Sequence, residues 1–232
     1  MIEVRPFAGL GHADHGWLDA RHHFSFASYH DPERMHWGAI RVWNDDTIAP
    51  RSGFPPHPHS DMEIVTFVRT GAITHKDSLG NEGRTAAGDV QVMSAGTGIT
   101  HAEFNLEDEA TTLFQIWIVP DRRGDEPGWG QREFPKASRA GGFEILASGT
   151  PNEDDALPIR TDAKVAAATL KAGQTASWQT DTSRHQYLVA PQGRVKVNGV
   201  EAAPRDGIAV TGESAIFVEA LDDAEVVMVD AR

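Results

Sequence analysis

The chain has 232 residues, 40% hydrophobic and 24% charged, with 34 acidic against 21 basic side chains and a net charge of −13. That length carries one large or two smaller packed domains, and a mean hydropathy of −0.39 with no apolar run long enough to cross a bilayer excludes a membrane span. Zero cysteines exclude disulfides, a thiol nucleophile and cysteine metal sites, while the acidic field disfavours direct contact with nucleic acid or anionic membrane.

Taken from the start, the chain opens without a basic segment followed by an apolar stretch, so the expected location is cytoplasmic. A short helix is expected around Phe24–Tyr29. The runs Trp37–Trp43, Glu63–Arg69, Asp89–Met93 and Thr111–Val119 are rich in β-type residues and separated by Gly, Pro, Asn and Asp, the pattern of an antiparallel all-β domain. Leu79–Gly83 reads as a hairpin tip, because Gly and Asn tolerate the left-handed backbone of tight turns. Between Pro120 and Pro135, and again over Ser148–Pro158, the chain turns polar and rich in Pro and Gly, as surface loops or a connection do. Strand-like runs then resume at Val165–Leu170, His185–Ala190, Arg194–Val197, Gly207–Val210, Ala215–Ala220 and Glu225–Val229, with an Asn198-Gly199 hairpin turn among them. This organisation predicts two β-barrels joined near residues 120–160; a single extended β-sandwich fits the pattern almost as well.

Histidine is distributed unevenly: ten of the eleven lie within the first 101 residues, and His185 stands alone after them. His57 and His59 are two apart, as are His101 and Glu103. In an extended chain such pairs project from one face, with backbones roughly 7 Å apart. A lone His-x-His is more often a surface coincidence than a metal site, and a lone His-x-Glu is weaker still. Together, each preceded by Gly or Pro and followed by an apolar strand, they predict four ligands, three nitrogens and one oxygen, if the two strands are neighbours in one barrel. His12, His15, His22, His23, His30, His36 and His75 lack that spacing and read as surface, turn or satisfied core histidines, with one or two lining a cavity mouth.

These residues resemble the cupins. His57, His59, Glu63 and Gly71 follow the order of the first cupin motif, and Gly88, Gly96, His101 and Asn105 that of the second. Ser94 replaces the usual proline, and Gly53 lies closer to His57 than the general pattern has it. Both departures are similar to the pirin-like bicupins, as are Gly53–His59 (GFPPHPH), Asp77–Asn81 (DSLGN), Gly88–Val92 (GDVQV), Ser94–Glu103 (SAGTGITHAE), His15–Asp19 (HGWLD) and Leu113–Pro120 (LFQIWIVP). The likeness covers roughly residues 10–135; beyond it only the cupin pattern of Gly193, Asn198, Gly199, Asp206 and Gly207 remains.

The resemblance implies an all-β bicupin of two packed jelly-roll-like barrels: a metal-binding barrel over residues 1–135 and a metal-free barrel over 136–232. It assigns His57, His59, His101 and Glu103 as ligands of one divalent transition metal, Fe(II) first, with Mn, Co, Ni, Cu or Zn compatible with the same donors. Other cupin dioxygenases take their carboxylate from the first motif, which would be Glu63; strand parity alone leaves both open. The activity implied is that of a quercetin 2,3-dioxygenase, opening the central ring of a flavonol with dioxygen and releasing carbon monoxide. The partners are then a small aromatic substrate and dioxygen, with Glu103 as the catalytic residue that takes the 3-hydroxyl proton. Gln115, a polar residue in an apolar strand, faces either the cavity or solvent. The competing readings are a pirin-type metal-dependent regulator that binds a protein partner, and a cupin oxygenase acting on another aromatic.

Overall fold

Alternation along single strands decides the architecture. In Ile40–Ile48, Val42 and Trp43 are apolar while Asn44, Asp45 and Asp46 follow, yet the segment from Val42 to Asp46 is buried throughout. Both of its faces are covered, and each looks into a different interior. The computed structural model describes all residues from Met1 to Arg232 except Ser138, Asn152 and Asp154.

The strands form four sheets. One seven-stranded sheet runs Gly128–Arg132, Val90–Ser94, Glu63–Thr70, Thr111–Ile118, Ile40–Ile48, Leu18–His22, Gly11–Asp14. A four-stranded sheet, ordered Ser52–His59, Ile99–Asn105, Ala72–Asp77, Glu82–Ala86, closes the first barrel over it. A second seven-stranded sheet takes its strands from Glu144 onward, except that Ile2–Arg5 pairs on its edge with Gly207–Thr211. Its four-stranded partner carries Thr175–Gln179, Ala215–Ala220, Val195–Val197 and Val200–Ala202. The fold is thus an all-β bicupin.

The two large sheets pack back to back. Trp43, Phe67 and Phe114 of the first meet Val165, Tyr187 and Val227 of the second in one shared apolar core. Fully burying each such side chain contributes about 1.5–3 kcal/mol. The shared face also holds charge: Asp45, wholly buried, accepts from Arg69 and, across the junction, from Arg205 Nε at 2.6 Å. The barrel interiors differ sharply. The second is filled by Ala166, Leu188, Val195, Val218, Met228 and other aliphatic residues. The first has aliphatic packing only at its ends, around Ile48, Ile73 and Leu113 and around Ile64, Met93 and Ile99.

The hairpin turns fall where Asn and Gly predict them: Asn198 and Gly199 sit at φ 45 and 87 between paired strands, and Gly80 at φ 90. Phe24–Tyr29 is not a helix. Phe26 and Tyr29 bridge each other around Ala27 at φ 50, a tight reversal, because the aromatics are claimed by different elements: Phe24 packs on Tyr187 (centroids 4.9 Å) and Phe26 on Trp117 (5.4 Å). Among the described residues the helical segments are two 3-10 turns, Phe7–Gly9 and Pro32–Arg34.

Candidate metal centre and adjoining cavity

Ser52–His59 lies at the edge of its sheet, the position where Pro55, Pro56 and Pro58 are tolerated because few of its amides need partners. Its one neighbour is Ile99–Asn105, and the register sets His101 directly opposite His57 and Ile99 opposite His59. A bulge between His101 and Glu103 follows. The strands approach so closely there that a Cβ on Gly53 would stand 2.2 Å from the Glu103 carbonyl oxygen, which accounts for the glycine.

His57, His59 and His101 converge: one nitrogen of each lies within 4.8 Å of the others, and ring centroids are 4.5 to 5.0 Å apart. His57 Nδ1 donates to the Pro55 carbonyl at 2.8 Å, which leaves Nε2 as the free base. His101 Nε2 is buried and has no hydrogen-bond partner among the described residues, an arrangement that burial penalises unless something else fills its valence. Burial and the neighbouring imidazoles push His101 down to about 3 and His59 down to about 4, so both are unprotonated at pH 7 and keep a ring-nitrogen lone pair. Three converging imidazoles, one of them with an orphaned ring nitrogen, fit a divalent transition metal.

His101 belongs also to a second group of possible ligands, with His75 and Glu103. His75 Nε2 donates to Asp77 Oδ2 at 2.9 Å, which makes its Nδ1 the acceptor for His101 Nδ1 at 3.4 Å. The chain Asp77–His75–His101 therefore holds His101 in the tautomer whose Nε2 is unprotonated. Trp129 lies flat on His75, with centroids 4.7 Å apart and planes 8° from parallel. Asp77 in turn accepts from Leu79 N, Asn81 N and the Asn81 amide, so the Asp77–Asn81 hairpin turn supports the relay.

Glu103, 2% exposed, sits beneath a row of polar side chains crossing the large sheet. Gln91, Thr66, Gln115, Asn44 and His22 are successive cross-strand partners, one from each of five strands. Gln91 Nε2 donates to Glu103 Oε1 at 2.6 Å and Gln115 Nε2 to Oε2 at 2.8 Å. Each amide is itself oriented: Thr85 Oγ1 donates to Gln91 Oε1 at 3.1 Å and Trp117 Nε1 to Gln115 Oε1 at 3.1 Å. Burial pushes Glu103 up to about 7, opposed in part by these donors.

Beside this centre opens a cavity of about 390 Å³, whose lining includes Gln115 and Phe54 as well as Trp17, Phe26, Asn44 and Asp46. Phe54 connects it to the imidazoles (6.1 Å to the His57 ring), and Gln115 connects it to Glu103. Gln115 therefore faces the interior rather than solvent. His15 and His22 line the same cavity.

Glu63 goes elsewhere. Residues 57 to 63 are not one unbroken strand: the chain turns at Asp61 (φ 47) and moves from the small sheet to the large one. Glu63 then shares a face with Val65 and Phe67, away from the barrel interior, and accepts from Ser94 Oγ at 2.6 Å. Asn105, the second-motif asparagine, is structural, its amide donating to the carbonyls of Ile48, Ala49 and Glu109. Sequence reasoning did not single out Gln91, Asp77 or Trp129, and it passed over His75. The available signals were the His75-x-Asp77 spacing, which places both on one strand face, and Gln91 as a lone polar residue among Val90, Val92 and Met93.

Comparison with known proteins bears on the whole chain. The pirin family pattern matches residues 3–118, and the quercetinase C-terminal cupin domain matches residues 145–231. A Pseudomonas aeruginosa protein, named provisionally as a quercetin 2,3-dioxygenase, is 65% identical over 99% of both chains. Escherichia coli K12 quercetin 2,3-dioxygenase is 41% identical, covering 99% of this chain and 98% of its own. The crystal structure of a bacterial pirin from E. coli in complex with nickel(II) superposes with a TM-score of 0.93 at 40% identity, over 100% of this chain and 99% of that one.

Proposed function

The chain belongs to the pirin family of cupin proteins, and from that membership together with the site we propose that it is a metal-dependent dioxygenase of the quercetin 2,3-dioxygenase type. The observation that carries this reading is the continuity of the cavity with the ligand group: Phe54 and Gln115 belong to the wall of one and touch the other. The cavity's size is that of small-molecule sites, and its aromatic and aliphatic walls suit a planar ring system.

His57, His59 and His101, whose nitrogens converge, would hold the metal, with Glu103, grouped with His101 and His75 rather than with His57 and His59, as the fourth donor. When bound, a divalent transition metal would supply a coordination site for the substrate oxygen and, where it is redox-active, the electron transfer that lets triplet dioxygen react with a closed-shell organic molecule. The protein's own task is to deliver the substrate deprotonated and in place. Glu103, fixed by two oriented amides, takes the proton of the flavonol 3-hydroxyl, and the electron-rich ring system that results is what dioxygen attacks. Gln91 and Gln115 keep the carboxylate from rotating away while it is charged. The Asp77–His75 pair holds His101 in its ligating tautomer. Phe54 and Trp17, packed edge to face at 5.0 Å, keep the cavity dry beside the reacting centre.

Purified protein reconstituted separately with each of Fe(II), Mn, Co, Ni, Cu and Zn is expected to consume dioxygen with quercetin and to release carbon monoxide with at least one of them. Absence of oxygen uptake with all six would remove the reading.

A further inference from the structure

Asp46 is the feature the reaction above does not use. It lies on Ile40–Ile48 two residues beyond Asn44, facing the same interior, and its own cross-strand partners are apolar: Leu113 on one side and Ala20 on the other. The side chain is 1% exposed, it lines the cavity, and its Oδ1 has no hydrogen-bond partner among the described residues. Next to it, His22 Nδ1 and Asn44 Oδ1 are bonded at 2.8 Å. A carboxyl oxygen shut away from water without a donor is unfavourable, and the side chain that carries it borders a cavity whose occupant can supply a partner to its carboxyl group.

We propose that Asp46 is a specificity-determining residue, forming with Asn44 and His22 a subsite that binds a ring hydroxyl of the aromatic substrate remote from the hydroxyl presented to Glu103. This rests on the flavonol-dioxygenase reading of the site. The geometry supplies two polar stations on one cavity wall: Gln115, which holds Glu103 and lies directly opposite Asn44, and Asp46, two residues further along the neighbouring strand. Trp17, Phe26, Phe54 and Leu18 supply the apolar walls between which a ring lies.

The chemistry narrows the ligand. Burial, together with the nearby charges of Asp45 and Glu103, raises Asp46 well above the usual carboxylate range and so favours its protonated form, which can both donate and accept. Its counterpart is a neutral group with the same capacity, a phenolic hydroxyl. A carboxylate or phosphate would meet a buried acid in a cavity lined by no lysine or arginine, and an ammonium would call for the ionised form that burial opposes.

The test compares quercetin with 3-hydroxyflavone, which keeps the reacting hydroxyl but has no hydroxyl on either outer ring. Binding to the metal-loaded full-length protein is followed without oxygen, by quenching of tryptophan fluorescence. The wild type is expected to prefer quercetin by about tenfold, one well-placed buried hydrogen bond. Asp46→Ala is expected to abolish that preference while binding 3-hydroxyflavone within about twofold of wild type, and Asp46→Asn to restore part of it. Removing an unpaired buried acid also leaves the melting temperature of the free protein undiminished, which a purely structural role for Asp46 would not allow. Should the Ala variant not fold, Asp46→Leu answers the same question. A full quercetin preference in the Ala or Leu variant overturns the subsite, as does a wild type that binds the two flavonols equally or binds neither. Asp46-dependent binding without oxygen uptake in air upholds the subsite and removes the dioxygenase reading alone.

Discussion

Replacing Asp77 by Asn should weaken metal binding without touching a ligand. The structure specifies the route. Asp77 Oδ1 serves Leu79 N and Asn81 N, a task the Asn carbonyl can take over, so the hairpin turn survives. Oδ2 accepts from His75 Nε2 at 2.9 Å and from the Asn81 amide at 2.9 Å. An amide NH2 in its place faces two donors, and His75 is released to carry its proton on Nδ1. That proton then opposes the one on His101 Nδ1, 3.4 Å away, and His101 is driven to the tautomer protonated on Nε2. Nε2 is the buried atom left free for a metal. Outer partners of this kind are worth about 10–100-fold in metal affinity, or about 1.4–2.7 kcal/mol. Titration of the metal-free protein with Co(II) against a chromogenic chelator measures the loss, with circular dichroism confirming the fold. A dissociation constant within about threefold of wild type, well short of that range, would refute the tautomer argument.

Three further outcomes follow from the same contacts. His101→Ala should fold but retain under about a tenth of the wild-type metal by elemental analysis, since the side-chain hydrogen bond it loses is one long bond to His75; full occupancy would exclude it as a ligand. In the metal-free protein, Glu103 titrates at about 7 rather than at its ordinary 4.5, so between those values the folded chain keeps a proton that the unfolded chain has released. Stability therefore falls as pH rises from about 4.5 to about 7, by roughly 2–3 kcal/mol. Glu103→Gln, which cannot take up a proton, should show a shallower decline in melting temperature from pH 5 to pH 8 and no ring cleavage; an equally steep decline would contradict the assignment. Asp45→Ala strips the partner from Arg69, 10% exposed, and cuts the tie to Arg205, and chemical denaturation should register a loss of about 3–5 kcal/mol. A loss below about 1 kcal/mol, the worth of an exposed pair, would mean that water reaches these groups.

Much of this protein is written locally. Asn-Gly and Gly-Asn steps place hairpin turns because only certain residues reach left-handed backbone cheaply, and the alternating runs between them become strands. The spacing of His57 with His59, and of His101 with Glu103, puts each pair on one face whatever the rest of the chain does. Those features need no knowledge of distant contacts, which is why they were legible, and why the likeness to pirin-like bicupins could be read from them.

What the sequence alone could not determine was everything that depends on where a strand ends and which strand lies beside it. Strand parity left Glu63 as a possible ligand because it assumed an unbroken strand; the reversal at Asp61 sends that carboxylate into the opposite face. The setting of His57 against His101, the relay through His75 to Asp77, the amides that clamp Glu103 and the unpartnered acid at Asp46 join residues tens of positions apart. Periodicity says which residues share a face of one strand. Only closure of the sheets, driven by burial of the apolar faces between them, decides which faces meet.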